Sequence, residues 1–282
     1  MNRTHLIGAV LVCILVVSIA AFVSLPLILP PPDDTTTSTD SEDYTPLEPP
    51  EGLSYNGVDI SFLKIMGFRL VYEDVVVYID PAYFYVDRND TFLVKADFIL
   101  ISHDHPTHCS PTVVERLSDN DTVVIAAPGP AEVVDADIVV TPGDVLNFDK
   151  VSFEFIPSYC YQAVLLNTNT PMHERSENNT GVIIDFEGTR IYHAGDTDRI
   201  PEMQSIVTDI AILPTSTTPN HAWMNASEAA KAVEDIKINS DLKYAIPTHW
   251  DIGPGWLSDR RYYAEEFAEL ANCTVVILDS LY

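Results

Sequence analysis

Ile101-Ser102-His103-Asp104-His105-Pro106-Thr107-His108-Cys109-Ser110 is the stretch on which the reading of this chain turns. Three of the eight histidines fall within it, at i, i+2 and i+5. The apolar, β-prone run Phe98-Ile99-Leu100-Ile101 leads into it. A strand that ends in a tight loop would project His103, His105 and His108 into one space. Neutral imidazoles converging in this way suit Zn2+ or a similar borderline divalent ion. Exposed loop histidines would explain one such residue well and three poorly.

Further chemistry-bearing residues recur downstream. Met172-His173 precedes Thr180-Gly181-Val182-Ile183-Ile184-Asp185-Phe186. Arg190-Ile191-Tyr192-His193-Ala194-Gly195-Asp196-Thr197-Asp198 reads as a strand and a turn, and Ala245-Ile246-Pro247-Thr248-His249-Trp250 as a strand that delivers a histidine. In this order the motifs resemble those of the metallo-β-lactamase superfamily, whose metal loop reads His-x-His-x-Asp-His. The wording is closest to the branch that includes L-ascorbate-6-phosphate lactonase and many archaeal and bacterial hydrolases. The resemblance runs from about Val58 to Ile277.

The resemblance implies an α/β (α+β) domain built as a four-layer αββα sandwich. It implies that His103, His105 and His173 bind a first metal and that His108 and His249 bind a second, with Asp196 bridging both. Asp196 and His249 are then the catalytic residues as well. Zn2+ is the expected ion, one or two per chain, with Mn2+ or Fe2+ as alternatives. Three neutral imidazoles leave Zn2+ positive with a position open for water, whose pKa falls from 15.7 to about 7. An aspartate between two cations offsets their repulsion.

The chain departs from the family pattern twice. Thr107 stands where the family has the Asp that ligates the second metal. A neutral hydroxyl is a poor ligand for a divalent ion, so one tight ion and one labile or absent ion are expected. The Gly-His pair usual after the first strand is replaced around Lys64-Ile65-Met66-Gly67. Two functions of different class follow. One is a hydrolase that uses metal-activated water on an ester, lactone, amide or phosphodiester of a small-molecule substrate. The other is a degenerate module that binds metal or ligand without turnover. Five histidines and one aspartate in place speak for the first, because a drifting pseudoenzyme loses several.

Other residues have blander readings beside the functional ones. His193 is a packed strand residue or a neighbour of the ligands. His221 is an exposed loop histidine or a substrate contact. Asp198 is suited to bonding turn amides. Tyr159, Tyr161 and Trp250 are core aromatics or pocket walls. Cys109 and Cys160 are small buried neighbours or ligands. With Cys273 they are an odd number outside the N-terminal segment, compatible with one disulfide and a free thiol or with none.

Composition bounds the partners. The 282 residues carry 42 acids against 15 bases, a net charge of −27. No basic stripe exists to displace counterions, so nucleic acid is excluded as a surface-bound partner. A solvated acidic surface, as in salt-adapted proteins, accounts for the charge. Residues 1–29 contain the uncharged apolar run Leu6–Leu29, long enough to span a bilayer. Arg3 before it and acids after it orient the N-terminus inward, which gives a single-pass membrane anchor with the catalytic domain outside the cell. Cleavage near Ser18-Ile19-Ala20 and secretion is the alternative. Residues 30–53 are rich in Pro, Thr and acids and contain no base, so self-repulsion extends them into a linker. Asn-x-Ser/Thr sequons at Asn89, Asn120, Asn178, Asn225 and Asn272 are compatible with an outside location. Residues 54–282 are the folded hydrolase domain. Nothing in the chain indicates its oligomeric state.

Within that domain, β-branched and alternating runs predict strands at Val58–Leu63, Phe68–Tyr72, Val75–Ile79, Phe98–Ile101, Val123–Ala126, Ile138–Val140, Val151–Ile156, Val182–Phe186, Arg190–His193, Ile210–Leu213, Lys243–Ile246 and Thr274–Leu278. Helices are predicted at Pro111–Leu117 with Ser110 as N-cap, after the capping box of Asn225-Ala226-Ser227-Glu228, and over Asp259–Ala271. The long polar loop 157–179 carries His173 and reads as functional.

Overall fold

A computed structural model describes residues 52–81, 94–161, 171–216, 223–251 and 260–280. The expected membrane segment 1–29, the linker up to Glu51, Asn89 and His221 lie outside the described residues. Among the described residues, no helix is long and apolar enough to cross a membrane.

Two seven-stranded sheets are laid down one after the other. In the first, β1 (Leu53–Tyr55), β2 (Val58–Lys64), β3 (Gly67–Tyr72), β4 (Val75–Ile79), β5 (Phe98–Ile101), β6 (Val123–Ala126) and β7 (Ile138–Val139) lie side by side in sequence order. β1 to β4 pair antiparallel and β4 to β7 parallel. The second sheet holds β8 (Val145–Asn147), β9 (Ser152–Pro157), β10 (Thr180–Phe186), β11 (Thr189–His193), β12 (Ile210–Pro214), β13 (Tyr244–Thr248) and β14 (Thr274–Val275). It too is antiparallel through β11 and parallel thereafter. The antiparallel turns are the tight kind. Asn56 and Gly57, at φ 48° and 83°, form the two-residue loop between β1 and β2, the conformation that Asn-Gly favours.

Among the described residues, four α-helices cover the outer faces: α1 (Pro111–Leu117), α2 (Pro128–Ala131), α3 (Ala226–Ile236) and α4 (Arg261–Leu270). Three separate apolar clusters define the layers. One joins the sheets face to face, with Ile60, Phe68 and Leu100 of the first against Phe153, Ile184 and Ile212 of the second. A second packs Ile183, Tyr192 and Leu213 against Ala229, Val233 and Phe267 of the helices. The third packs Ile99, Ile101 and Val124 against Val113, Val114 and Leu117 of α1. The αββα sandwich follows. β5 and β12 are covered on both faces and are buried along their whole length. α3 starts on the predicted capping box, with Asn225 accepting from the Glu228 N–H and Glu228 from the Asn225 N–H.

Several predicted bounds need correction. The last strand stops at Val275 instead of Leu278, because pairing with β13 covers only two residues. Ser110 occupies the N-cap of α1, yet its side chain makes no capping hydrogen bond. Trp250, by contrast, takes the core reading offered for it and packs on Phe62 between the sheets.

Candidate metal centre

Every candidate ligand sits just beyond a strand end or on a loop facing one. Parallel α/β sheets gather their sites there. β5 ends at Ile101, and the turn that follows carries His103, His105 and His108. Asp196 follows β11 through Gly195, whose φ of +65° and tight approach to Ser158 Oγ require glycine. β13 delivers His249, and His173 comes from the loop ahead of β10.

All six predicted residues come together. Asp196 Oδ2 lies 3.3 Å from His108 Nε2, 3.7 Å from His103 Nε2 and 3.8 Å from His173 Nε2, while Oδ1 lies 2.7 Å from His249 Nε2. Two groups result: His103, His105, His173 and Asp196 on one side, and His108, Asp196 and His249 on the other. Within each, the ligand atoms lie within 4.8 Å of one another. Thr107 is half-buried on the turn, directly before His108.

The donor atoms themselves test the fit to a cation. Nε2 of His103, His108, His173 and His249 and both oxygens of Asp196 are buried and face only one another, with no partner outside the cluster. Buried polar atoms are almost always satisfied by outside partners, so six that converge on a common space around one carboxylate call for a bound group. Imidazole nitrogens around a shared carboxylate suit a divalent ion of the zinc type.

Electrostatics is compatible with that state. Burial pushes His173 down to about 4, partly opposed by Asp196. Burial likewise holds His103 well below its ordinary value, reinforced by His108. Both imidazoles are therefore neutral, as ligands must be. Burial also acts to lower His108, but the carboxylates of Asp196 and Asp80 outweigh it and lift the group to about 10. Burial acts to raise Asp196, and His108 and His249 together keep it well below the usual carboxylate range.

The braces behind these ligands carry no local sequence signal. Asp80, directly after the predicted strand Val75–Ile79, is fully buried at φ 44°. Its Oδ1 accepts the Ser102 N–H at 2.8 Å, and its Oδ2 accepts the Ser102 hydroxyl at 2.6 Å and the His108 Nδ1–H at 2.8 Å. Ser102 Oγ in turn lies 2.9 Å from His103 Nδ1. The network engages Nδ1 of both rings and turns both Nε2 atoms toward Asp196. This is how outer partners orient metal-binding imidazoles. Asp80 also lies within ligand distance of His103 and His108, but its oxygens are already engaged by these donors. The other departure from the family pattern has a counterpart here as well. Around Ile65 and Met66 the backbone does the holding: Ile65 O accepts the His249 N–H at 3.0 Å, and Met66 O accepts His193 Nε2–H at 2.8 Å.

The remaining candidates separate cleanly. His193 is a packed strand residue, edge-on to Phe68. Asp198 accepts the Tyr161 N–H at 2.8 Å. Tyr159 is buried and bonds Glu202, whereas Tyr161 is exposed. Cys109 and Cys160 are buried and Cys273 is half-buried, and none of them belongs to either ligand group.

Comparison with known proteins agrees with this geometry. The chain matches the β-lactamase superfamily domain over residues 59–249 and belongs to that family. A UPF0173 metal-dependent hydrolase of Thermofilum pendens is 29% identical over 189 residues, 64% of this chain and 72% of that one. One from Bacillus cytotoxicus is 28% identical over 80% of this chain and 96% of its own. A crystal structure from Parabacteroides distasonis, described as a metal-dependent hydrolase, superposes with a TM-score of 0.64 at 27% identity, covering 79% of this chain and 93% of that one. Igni18, a metallo hydrolase of Ignicoccus hospitalis, shares the fold with a TM-score of 0.58 at 21% identity, over 79% and 95% of the two chains. Fold and family together define a metal-dependent hydrolase of the β-lactamase superfamily.

Proposed function

We propose that this hydrolase holds one divalent ion tightly on His103, His105 and His173 and a second more weakly on His108, Asp196 and His249, and that it opens an ester, lactone, amide or phosphodiester bond of a small molecule. The observation that carries the reading is the set of six buried donor atoms on four histidines and one aspartate that face only one another. A divalent ion bound there supplies Lewis acidity and a water acidified toward neutral pH. The rest falls to the chain. Asp196 keeps its charge between the two groups, offsets the repulsion of two cations and can accept a hydrogen bond from the attacking water. Asp80 and Ser102 keep His103 and His108 aimed. Zn2+ suits the nitrogen-rich donor set best, with Mn2+ and Fe2+ next. The apolar run Leu6–Leu29 and the acidic linker behind it favour an anchored enzyme with its site outside the cell.

Metal analysis of the full-length chain purified without chelator tests this. One to two equivalents of a divalent metal are expected, with turnover on a panel of simple esters, lactones, amides and phosphodiesters, and His103→Ala should lose both. Absence of metal after reconstitution at neutral pH would sink the site. Thr107 gives a second reading some weight, a module that binds without turnover. Bound metal with no hydrolysis across the panel would favour it.

A further inference from the structure

His249 is held unlike His103 and His108. Its backbone sits at φ 61°, in the left-handed region, and its N–H meets the carbonyl of Ile65, itself at φ 60°. A β-branched residue rarely adopts that conformation, and such outliers gather where function over-determines the backbone. The His249 carbonyl accepts the Ser216 hydroxyl. Its Nδ1 is buried without a hydrogen-bond partner, in the place where a ligating imidazole ordinarily has a carboxylate or carbonyl. What the ring has instead is an aromatic wall. The Trp223 ring lies 4.1 Å away, tilted by 38°.

Trp223 is itself fixed to the segments that matter. Its Nε1–H donates to the Ser216 carbonyl, and the neighbouring Met224 N–H donates to Thr197 O at 3.2 Å, one residue beyond Asp196. The indole is therefore tied both to the Asp196 turn and to the residue that clasps His249.

We propose that Trp223 is a positioning residue whose indole face sets the rotation of the His249 imidazole and so aims Nε2 at Asp196 and the second metal. It does by packing what Asp80 does for His108 by hydrogen bonding. The proposal rests on the reading of His249 as a ligand.

The test uses the full-length chain, Zn2+ as probe, and two readouts. The first is the His249 imidazole resonance in metal-free protein, which ring currents from Trp223 displace. The second is the dissociation constant of each Zn2+ equivalent. Trp223→Ala should move or broaden the His249 resonance and weaken the second equivalent about 10- to 100-fold, with the first changed less than about twofold. Trp223→Phe, which keeps a flat ring, should restore the second equivalent to within about threefold of wild type. The His193 resonance serves as the control for an intact fold. Where Trp223→Ala unfolds the chain, Trp223→Leu keeps the bulk without the flat face and should give the same split. An unmoved His249 resonance in a chain that binds two equivalents, or Phe behaving no better than Ala, overturns the role of Trp223 alone. A wild-type chain that takes up no second equivalent overturns the ligand reading beneath it.

Discussion

The two sides of the metal centre are built by different means. On the first sheet, one buried carboxylate, Asp80, fixes Ser102 and His108 directly and His103 through Ser102. On the second, His249 has no hydrogen bond to its outer nitrogen and is placed by a left-handed backbone, a clasp from Ser216 and an indole face. A hydrogen-bonded brace fixes both the tautomer and the angle of a ring, whereas packing fixes the angle alone. The first side should therefore present its nitrogens ready-made, and the second should depend more on the ion to complete it.

The largest effect is expected at the residue the two sides share. Asp196→Asn removes the only anionic donor common to both groups, and hydrolysis should fall by about a thousandfold as both ions weaken. Steady-state rates and metal content measured on the same sample would decide this, and loss of one ion only would show that the sides are independent. Asp80→Asn disturbs both ligand groups, through His103 in one and His108 in the other. It should cost about 10- to 100-fold in affinity for ions held by His103 and His108. Equal loss in Asp80→Asn and Trp223→Ala at both equivalents would erase the contrast between the sides.

Acidity probes the same contrast in the metal-free chain. His173 lies at about 4 when folded against 6.5 when unfolded, so its contribution is present above pH 6.5 and fades as pH falls toward 4. The expected loss is on the order of 3 kcal/mol, read from denaturant unfolding across that window. His108, lifted to about 10, has the opposite sign. Its contribution is complete below 6.5 and is lost as pH rises through about 10. A stability flat from pH 4 to 6.5 would contradict the buried neutral His173. The smallest effect is the repair of the missing ligand. Thr107→Asp should tighten the second equivalent and raise the metal stoichiometry, and an unchanged titration would show that three side chains already suffice.

The residues legible in the sequence were those whose signal is local. His103, His105 and His108 announce themselves by spacing, and β5, α1 and the α3 cap by patterning within a few residues. Asp80 did not, because 22 residues separate it from Ser102 and 28 from His108. β1 and β8 were missed because three-residue edge strands are defined by their pairing partners more than by any pattern of their own. α2 was missed because Pro-Gly-Pro-Ala contradicts helix propensity. Trp223 could be read only as an aromatic in a loop, since nothing in the sequence puts it against His249.

The sequential strand order has a mechanical consequence. Each sheet is one uninterrupted stretch of chain, and within the metal centre the two stretches meet through His108 on one side and Asp196 and His249 on the other. An ion shared by His108 and His249 would pin points roughly 140 residues apart, and the chain-entropy treatment of disulfides values a cross-link of that span at about 5 kcal/mol. The centre would then act as a removable staple between two otherwise separately wound halves. A chelator should lower the melting temperature and open the chain to protease, even where no residue outside the centre has moved.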